Sequence, residues 1–345
     1  RIGTNASNEQ IINDFVINKG SDTLFISGGK EKEDSQNNLI KVEGNIFDLQ
    51  SGIVDHTNFS IRMVCDSLVN FGTLGIYKGS STDLDPNSSN DFIKFIESSN
   101  PFYLITGDNS KFGRVRWNNG NNFVSLVSDV YIQSFEYRFG RLNLGTHNLK
   151  IDELETNLRG NKANYFCTGG CYSVQDMFIA DGNASDGGLS LLIPADGVNT
   201  TTNNNEFEFP IGIGTTNDEV SRGGGSRYTP VTVTIDDATG VTESGYITVR
   251  PINEQLQTMN LTPNSDYLNY YWRTDHSYTA TVPKIKLLAK YYNVDVTDGG
   301  DGGTTDESDF VPGKVLDQDP YTRSSELAAN INTTGAINLI TFDAN

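Results

Sequence analysis

Apolar residues in this chain come in short runs that often alternate with polar ones and close on turn residues. Leu24-Phe25-Ile26 ends at Ser27-Gly28-Gly29, and Val231-Thr232-Val233-Thr234-Ile235 ends at Asp236-Asp237. Alternation over a few residues, bounded by Gly, Asn or Asp, is the pattern of strands. Helical spacing is confined to a few places, such as 90–98 and 325–330. Gly, Asn, Ser, Thr and Asp abound while Ala, Glu and Lys are sparse, so turn formers outnumber helix formers. The chain reads as all-β.

From about Ile11 to Asn205 the strands are short and each unit carries Gly or Asn near a corner. Leu39–Phe47, Phe92–Ile96, Arg114–Trp117 and Val124–Val130 are such units. Asn70-Phe71-Gly72-Thr73-Leu74 is echoed by Arg138-Phe139-Gly140-Arg141-Leu142, 68 positions on. That distance is close to three coils of ~22 residues, inside the ~20–50 range of solenoid periods. The expected architecture is a parallel β-solenoid over 1–205, with a jelly roll or stacked sandwiches as the competing folds. Between Asp181 and Asn205 the chain turns small and polar, which reads as a linker or exposed loop. Beyond it, 206–345 has longer alternating stretches: Tyr228–Ile235, Gly245–Pro251, Tyr267–Trp272, Tyr278–Val282, Lys284–Tyr292 and Ala336–Phe342. These predict an Ig-like β-sandwich.

Charge narrows the function classes. Asp and Glu outnumber Lys and Arg 44 to 25, a net charge of −19. Phosphate backbones and anionic lipid surfaces are repelled by such a chain, so nucleic acid is not an expected partner. No apolar run approaches the ~18 residues of a membrane span. The chain opens on Arg1 with neither an initiator Met nor a secretory leader, and is expected to be a mature product or a piece of a longer polypeptide.

Phe209-Pro210-Ile211-Gly212-Ile213-Gly214, followed by Ser226-Arg227-Tyr228-Thr229-Pro230-Val231, resembles a "FP(I/V)G … Y(T/R)PV" signature. That signature is common in large surface proteins of gliding bacteria and their relatives, exported by type IX secretion. Gly245–Arg250, Leu268–Trp272, Asn70–Leu74 and Ser185–Pro194 add to the resemblance. It implies an extracellular, adhesin-like protein in which a solenoid-like stretch precedes a β-sandwich module. The signature itself reads as a folding device. Pro210 and Pro230 lack a backbone donor and suit strand starts or edges, Gly212 and Gly214 permit bends, and Tyr228 is an amphipathic anchor.

Candidate chemistry is sparse. Asp298, Asp301, Asp306 and Asp309 lie in a Gly-rich acidic segment that could supply several oxygens to calcium; a solvated hairpin loop is the plainer reading. Arg114, Arg116 and Trp117 could line a carbohydrate groove, the ring stacking on a sugar, or could belong to a strand face packed on a neighbouring coil. Cys167 and Cys171 flank Thr168-Gly169-Gly170 and form a candidate disulfide, with two buried thiols as the alternative. Cys65 reads as a small core residue. Thr23 and Ser67 sit in Asp-Thr-Leu and Asp-Ser-Leu tripeptides, which match the O-glycosylation pattern of the organisms in that family. His56, His147 and His276 are isolated, and no nucleophile elbow surrounds any Ser, so Asp275-His276-Ser277 does not read as a hydrolytic triad.

The sequence therefore predicts a non-enzymatic cell-surface or secreted structural or adhesive segment, a filament or tether subunit among the options. It requires no cofactor, and its expected partners are extracellular glycans or other copies of itself. A polysaccharide-binding or polysaccharide-degrading β-helix protein is the competing class.

Overall fold

The computed structural model describes residues 9–12, 15–25, 39–42, 46–55, 60–63, 67–74, 93–96, 102–106, 110–155, 176–180, 187–198, 204–214, 226–252, 267–268, 270–292, 296–297, 330–332 and 337–344. Every regular element among them is a strand. The 93–96 stretch, which fitted both helical spacing and a strand unit over Phe92–Ile96, is one of these strands. Its Ile-Lys-Phe-Ile satisfies a period of two as readily as one of 3.6, and long-range pairing decides between them. The chain divides into two compact units, Arg1–Cys171 and Tyr172–Asn345.

The first unit contains β1 (Glu9–Ile12), β2 (Phe15–Phe25), β3 (Leu39–Val42), β4 (Ile46–Asp55), β5 (Ser60–Met63), β6 (Ser67–Asn70), β7 (Thr73–Leu74), β8 (Ile93–Ile96), β9 (Phe102–Thr106), β10 (Lys111–Leu126), β11 (Val130–Asn143) and β12 (Asn148–Glu155). All of its described pairings are parallel, and they sort into three ladders. One runs β1, β3, β5, β8, then the middle of β10, the middle of β11 and the end of β12. A second joins the start of β2, the start of β4, β6, β9 and the ends of β10 and β11. The third joins the end of β2, the end of β4, β7 and the starts of β10, β11 and β12. The chain visits the ladders in the same order each time round.

Each ladder stacks like residues. In the third, Leu24, Val54, Leu74, Phe112, Ile132 and Ile151 share one column, and all but Leu24 are described at 3% exposure or less. In the first, Val115 lies over Phe135 and Trp117 over Tyr137, all buried. Between them the columns fill the interior: Phe112, Val115, Trp117, Val130, Ile132, Phe135, Leu142 and Leu149 meet around one small apolar seam. Successive levels lie 19 to 22 residues apart in four steps, as from Val115 to Phe135. In two steps, Glu9 to Leu39 and Ile61 to Ile93, they lie about 30 apart.

The corner between the second and third ladders has its own chemistry. Asn70 is fully buried; its Oδ1 accepts from Gly72 N at 3.0 Å and its Nδ2 donates to Lys111 O, one level on, at 3.1 Å. Asn143 repeats the first bond, accepting from Gly145 N at 3.0 Å. The structural counterpart of Asn70-Phe71-Gly72 is thus Asn143-Leu144-Gly145. The Phe139-Gly140 echo falls at a different corner, with Gly140 opposite Asn119. Gly72 packs directly on its neighbour, and a Cβ there would overlap the carbonyl oxygen of Gly52.

The second unit contains β13 (Phe178–Ile179), β14 (Gly188–Ile193), β15 (Glu206–Phe209), β16 (Ile211–Ile213), β17 (Arg227–Tyr228), β18 (Val231–Asp237), β19 (Gly245–Ile252), β20 (Tyr267–Leu268), β21 (Tyr271–His276), β22 (Lys284–Tyr292), β23 (Val296–Thr297), β24 (Asn330–Asn332) and β25 (Ile337–Ala344). An antiparallel five-stranded sheet runs β15-β18-β22-β25-β24. Apart from it, β19 lies between β14 and β21, both antiparallel to it. β16 pairs parallel with β13 and antiparallel with β17, and β20 pairs with β23.

Two expectations for this region change. The polar stretch 181–205, expected as a linker ending the first domain, lies within the second unit. Its Leu189-Ser190-Leu191-Leu192-Ile193 forms a strand with Leu189 and Ile193 fully buried. Tyr278–Val282, expected as a strand, is irregular and bends at Thr279-Ala280. Glu243 holds it, accepting from Thr279 N at 2.7 Å, Thr279 Oγ1 at 2.8 Å and Ala280 N at 3.3 Å.

Gly72→Ala is expected to cost about 1–3 kcal/mol, the scale of overpacking a filled site, because the stacked backbone must move. Urea unfolding of the full chain, followed by a probe in the first unit such as Trp117 fluorescence, measures it.

Candidate functional site

The signature around Pro210 and Pro230 resolves into one structural device. Phe209 faces Val231 in the five-stranded sheet, while Gly212 faces Tyr228 in the other group of strands. The same two chain segments therefore run antiparallel through both groups, bending from one to the other at Pro210 and at Thr229-Pro230. A proline has no N–H to give a ladder, so pairing lapses where the strands turn. The carbonyls stay in use: Pro210 O accepts from Phe178 N at 2.9 Å and Pro230 O from Lys290 N at 3.2 Å. Gly212 admits no side chain, since a Cβ would strike Met177 Sδ and Arg227 O. Tyr228 is buried, with Lys290 Nζ 5.3 Å from its ring centre. Trp272 Nε1 donates to Thr229 O at 3.2 Å.

Among the described residues near this bend, ionisable groups have structural partners with one exception. Arg250 and Arg273 converge on Asp275, Arg250 by a short hydrogen bond and Arg273 at 3.4 Å. Glu208, on β15, is 6% exposed and neither carboxylate oxygen meets a hydrogen-bond partner. Burial pushes its carboxyl well above the usual range.

In the first unit, strand alternation separates the residues proposed for sugar binding. Along β10, Arg114 and Arg116 hold one set of alternating positions, and Val115 and Trp117 hold the other. Trp117 is 1% exposed, tilted against Phe135 at 6.5 Å between ring centres. It belongs to the core, so the expected stacking of this ring on a sugar is corrected: residues at i, i+2 and i+3 of a strand cannot line one groove.

The register brings together a set that reading along the chain did not assemble. Lys41, Arg62, Lys94 and Arg116 occupy one column of the first ladder on four successive levels, followed by Glu136 and Glu155. The signal was present as Ile-Lys-Val, Ile-Arg-Met, Ile-Lys-Phe and Val-Arg-Trp, a basic residue between two apolar ones each time.

The remaining candidates are dispersed. Asp298, Asp301, Asp306 and Asp309 lie outside the described residues, as do Cys65, Cys167, Cys171 and His56. Thr23 pairs with Ile53 on the third ladder, and Ser67 opens β6 opposite Ile46 and Tyr103. His147 Nδ1 lies 3.8 Å from Asp129. His276 ends β21, exposed, its ring 6.2 Å from that of Tyr278, whose hydroxyl burial pushes up to about 12. The described residues hold no group of three His, Cys, Asp or Glu placed to bind a metal, and no helix long and apolar enough to cross a membrane. Comparison with known protein families, with characterised proteins and with solved structures finds no match to this chain.

Glu208→Met is expected to stabilise the chain by about 1–3 kcal/mol, the cost of a buried unpaired polar group. The folded state holds the Glu208 proton to higher pH than the unfolded state does, so wild-type stability falls as pH rises from the ordinary glutamate range. The variant's advantage should therefore be large at pH 8 and shrink towards pH 4, read from urea midpoints at the two pH values.

Proposed function

We propose that this chain is a non-enzymatic structural or adhesive segment of a secreted or cell-surface protein, its first unit a parallel β-solenoid and its second a β-sandwich. The observation that carries the reading is the trio of in-register parallel ladders whose inward columns fill the interior of the first unit. Stacked levels extend a molecule at low sequence cost, because each level repeats the contacts of the last. The bend at Pro210 and Pro230, which carries two strands from one sheet to another, is the corner device of packed sheets and supports the sandwich. The FPIG and YTPV segments, by their resemblance to type IX-exported surface proteins, support an extracellular location. An excess of acidic charge suits a long molecule that must stay soluble outside the cell.

A polysaccharide-cleaving enzyme is separable by experiment. Antibody raised against the folded chain should label intact cells of the source organism, and the purified chain should release no reducing ends from a panel of polysaccharides. Unlabelled intact cells beside labelled lysed ones would overturn the location. Turnover that disappears when two neighbouring acids of the first unit are changed would overturn the non-enzymatic reading.

A further inference from the structure

We propose that the outer edge of β21 is a self-docking edge, pairing antiparallel with β21 of a second copy of this chain about a two-fold axis at Thr274. Among the described residues β21 pairs with β19 alone, without a register shift. None of its six residues is buried, and Thr274 and His276 are exposed. The edge strand β15 differs, since Phe207, Glu208 and Phe209 are all buried there. Proteins commonly blunt an open edge with lysine, proline or a bulge. Tyr271-Trp272-Arg273-Thr274-Asp275-His276 has none of these.

The pairing with β19 fixes which backbone groups this edge offers. Ser277 N donates to Tyr246 O at 3.0 Å, so Tyr246 and Ser277 form a hydrogen-bonded pair. Such pairs alternate along an antiparallel ladder, which makes Thr248–Asp275 and Arg250–Arg273 hydrogen-bonded pairs as well. Pro251, with no N–H to give, falls opposite Trp272 at a position that needs none. The N–H and C=O groups of Trp272, Thr274 and His276 therefore point away from β19. A second strand must bring the same three residues into register with them.

Side-chain charge then selects among the registers this allows. A two-fold axis at Arg273 would set Arg273 against its own copy, and an axis at Asp275 would do the same for Asp275. Like charges directly opposite are destabilising, and opposite charges stabilise. An axis at Thr274 sets Arg273 opposite Asp275 of the second copy, twice over, at non-hydrogen-bonded positions where side chains approach most closely. It also sets Trp272 opposite His276 of the second copy. Trp272 is held for this by the bond from its Nε1 to Thr229 O, 3.2 Å. The strand is thus complementary to itself, as a closed two-fold interface requires. The interface does not rest on the adhesive reading, and cell labelling leaves it untouched.

Sedimentation velocity of the full chain should show monomer giving way to dimer between about 1 μM and 1 mM, the range of a small interface. Thr274→Lys places two ammonium groups opposite each other on the axis and should weaken the dimer about tenfold or more. Thr242→Lys, exposed outside any strand of the same unit, should leave it unchanged. Thr274→Cys reads the register directly. The two Cα atoms on the axis would lie about 5.5 Å apart, within disulfide reach, so mild oxidation should cross-link this variant and not the wild type. If Thr274→Lys lowers the melting temperature, the cysteine variant carries the test. A chain that stays monomeric throughout, a dimer that a folded Thr274→Lys variant leaves at wild-type strength, or Thr274→Cys cross-linking no more than wild type would each overturn the proposal.

Discussion

The first unit depends on parallel, in-register pairing. A parallel ladder sets each residue over its counterpart on the next level at about 4.8 Å, so side chains meet their own kind by position. When the column is apolar the result is a continuous buried stripe, as Val54, Leu74, Phe112, Ile132 and Ile151 show. A slip of one residue would turn every column to the other side of the strand. Register is therefore held by burial, and at one corner by Asn70, whose amide ties Gly72 of its own level to Lys111 of the next. Levels tolerate long insertions between strands because the ladder fixes the pairing rather than the loop; the steps of about 30 residues, Glu9 to Leu39 and Ile61 to Ile93, are of this kind.

The second unit solves a different problem. Its strands are antiparallel in the five-stranded sheet, and two segments must leave that sheet without stranding buried donors. Proline at the bend removes the donor instead of burying it unsatisfied, while its carbonyl remains to accept from a neighbouring strand. Gly212 allows Met177 and the Arg227 carbonyl to close over the bend. Backbone accounting thus explains the FPIG and YTPV segments. Glu208, one residue before Phe209-Pro210, is the cost left in place: a carboxyl buried beside the bend without a hydrogen-bond partner.

Much of this was legible in the residues. Alternation named the strand class, Pro210 and Pro230 marked breaks in pairing, and Asn or Gly marked the ends of short strands. What misled was local pattern standing in for long-range pairing. Ile93–Ile96 fits two periods, and only its partners Ile61–Met63 and Val115–Asn118 choose the strand. Gly, Asp and Asn around Leu189–Ile193 read as a linker or exposed loop because composition averages over a short strand with four apolar residues. Tyr278–Val282 looked extended, yet one carboxylate, Glu243, holds a bend at Thr279-Ala280. Trp117 was grouped with its sequence neighbours, although alternation alone separates it from Arg114 and Arg116. The basic column was invisible for the converse reason, since its members lie 21, 32 and 22 residues apart and become neighbours only through the register.

Inward and outward columns of such a stack obey different selection. An inward column is constrained by volume, and Trp117 over Tyr137 or Phe112 over Ile132 are exchanges of one large apolar residue for another. An outward column has no volume to fill, so chemistry is free to vary from level to level, and repulsion between identical charges favours variation. The column from Lys41 to Arg116 keeps one sign over four levels and then reverses at Glu136, which is buried. Over those four levels a single sign persists against its own electrostatic cost in a chain that carries few cations. Stacking explains why those residues are neighbours, but it does not explain why they are alike.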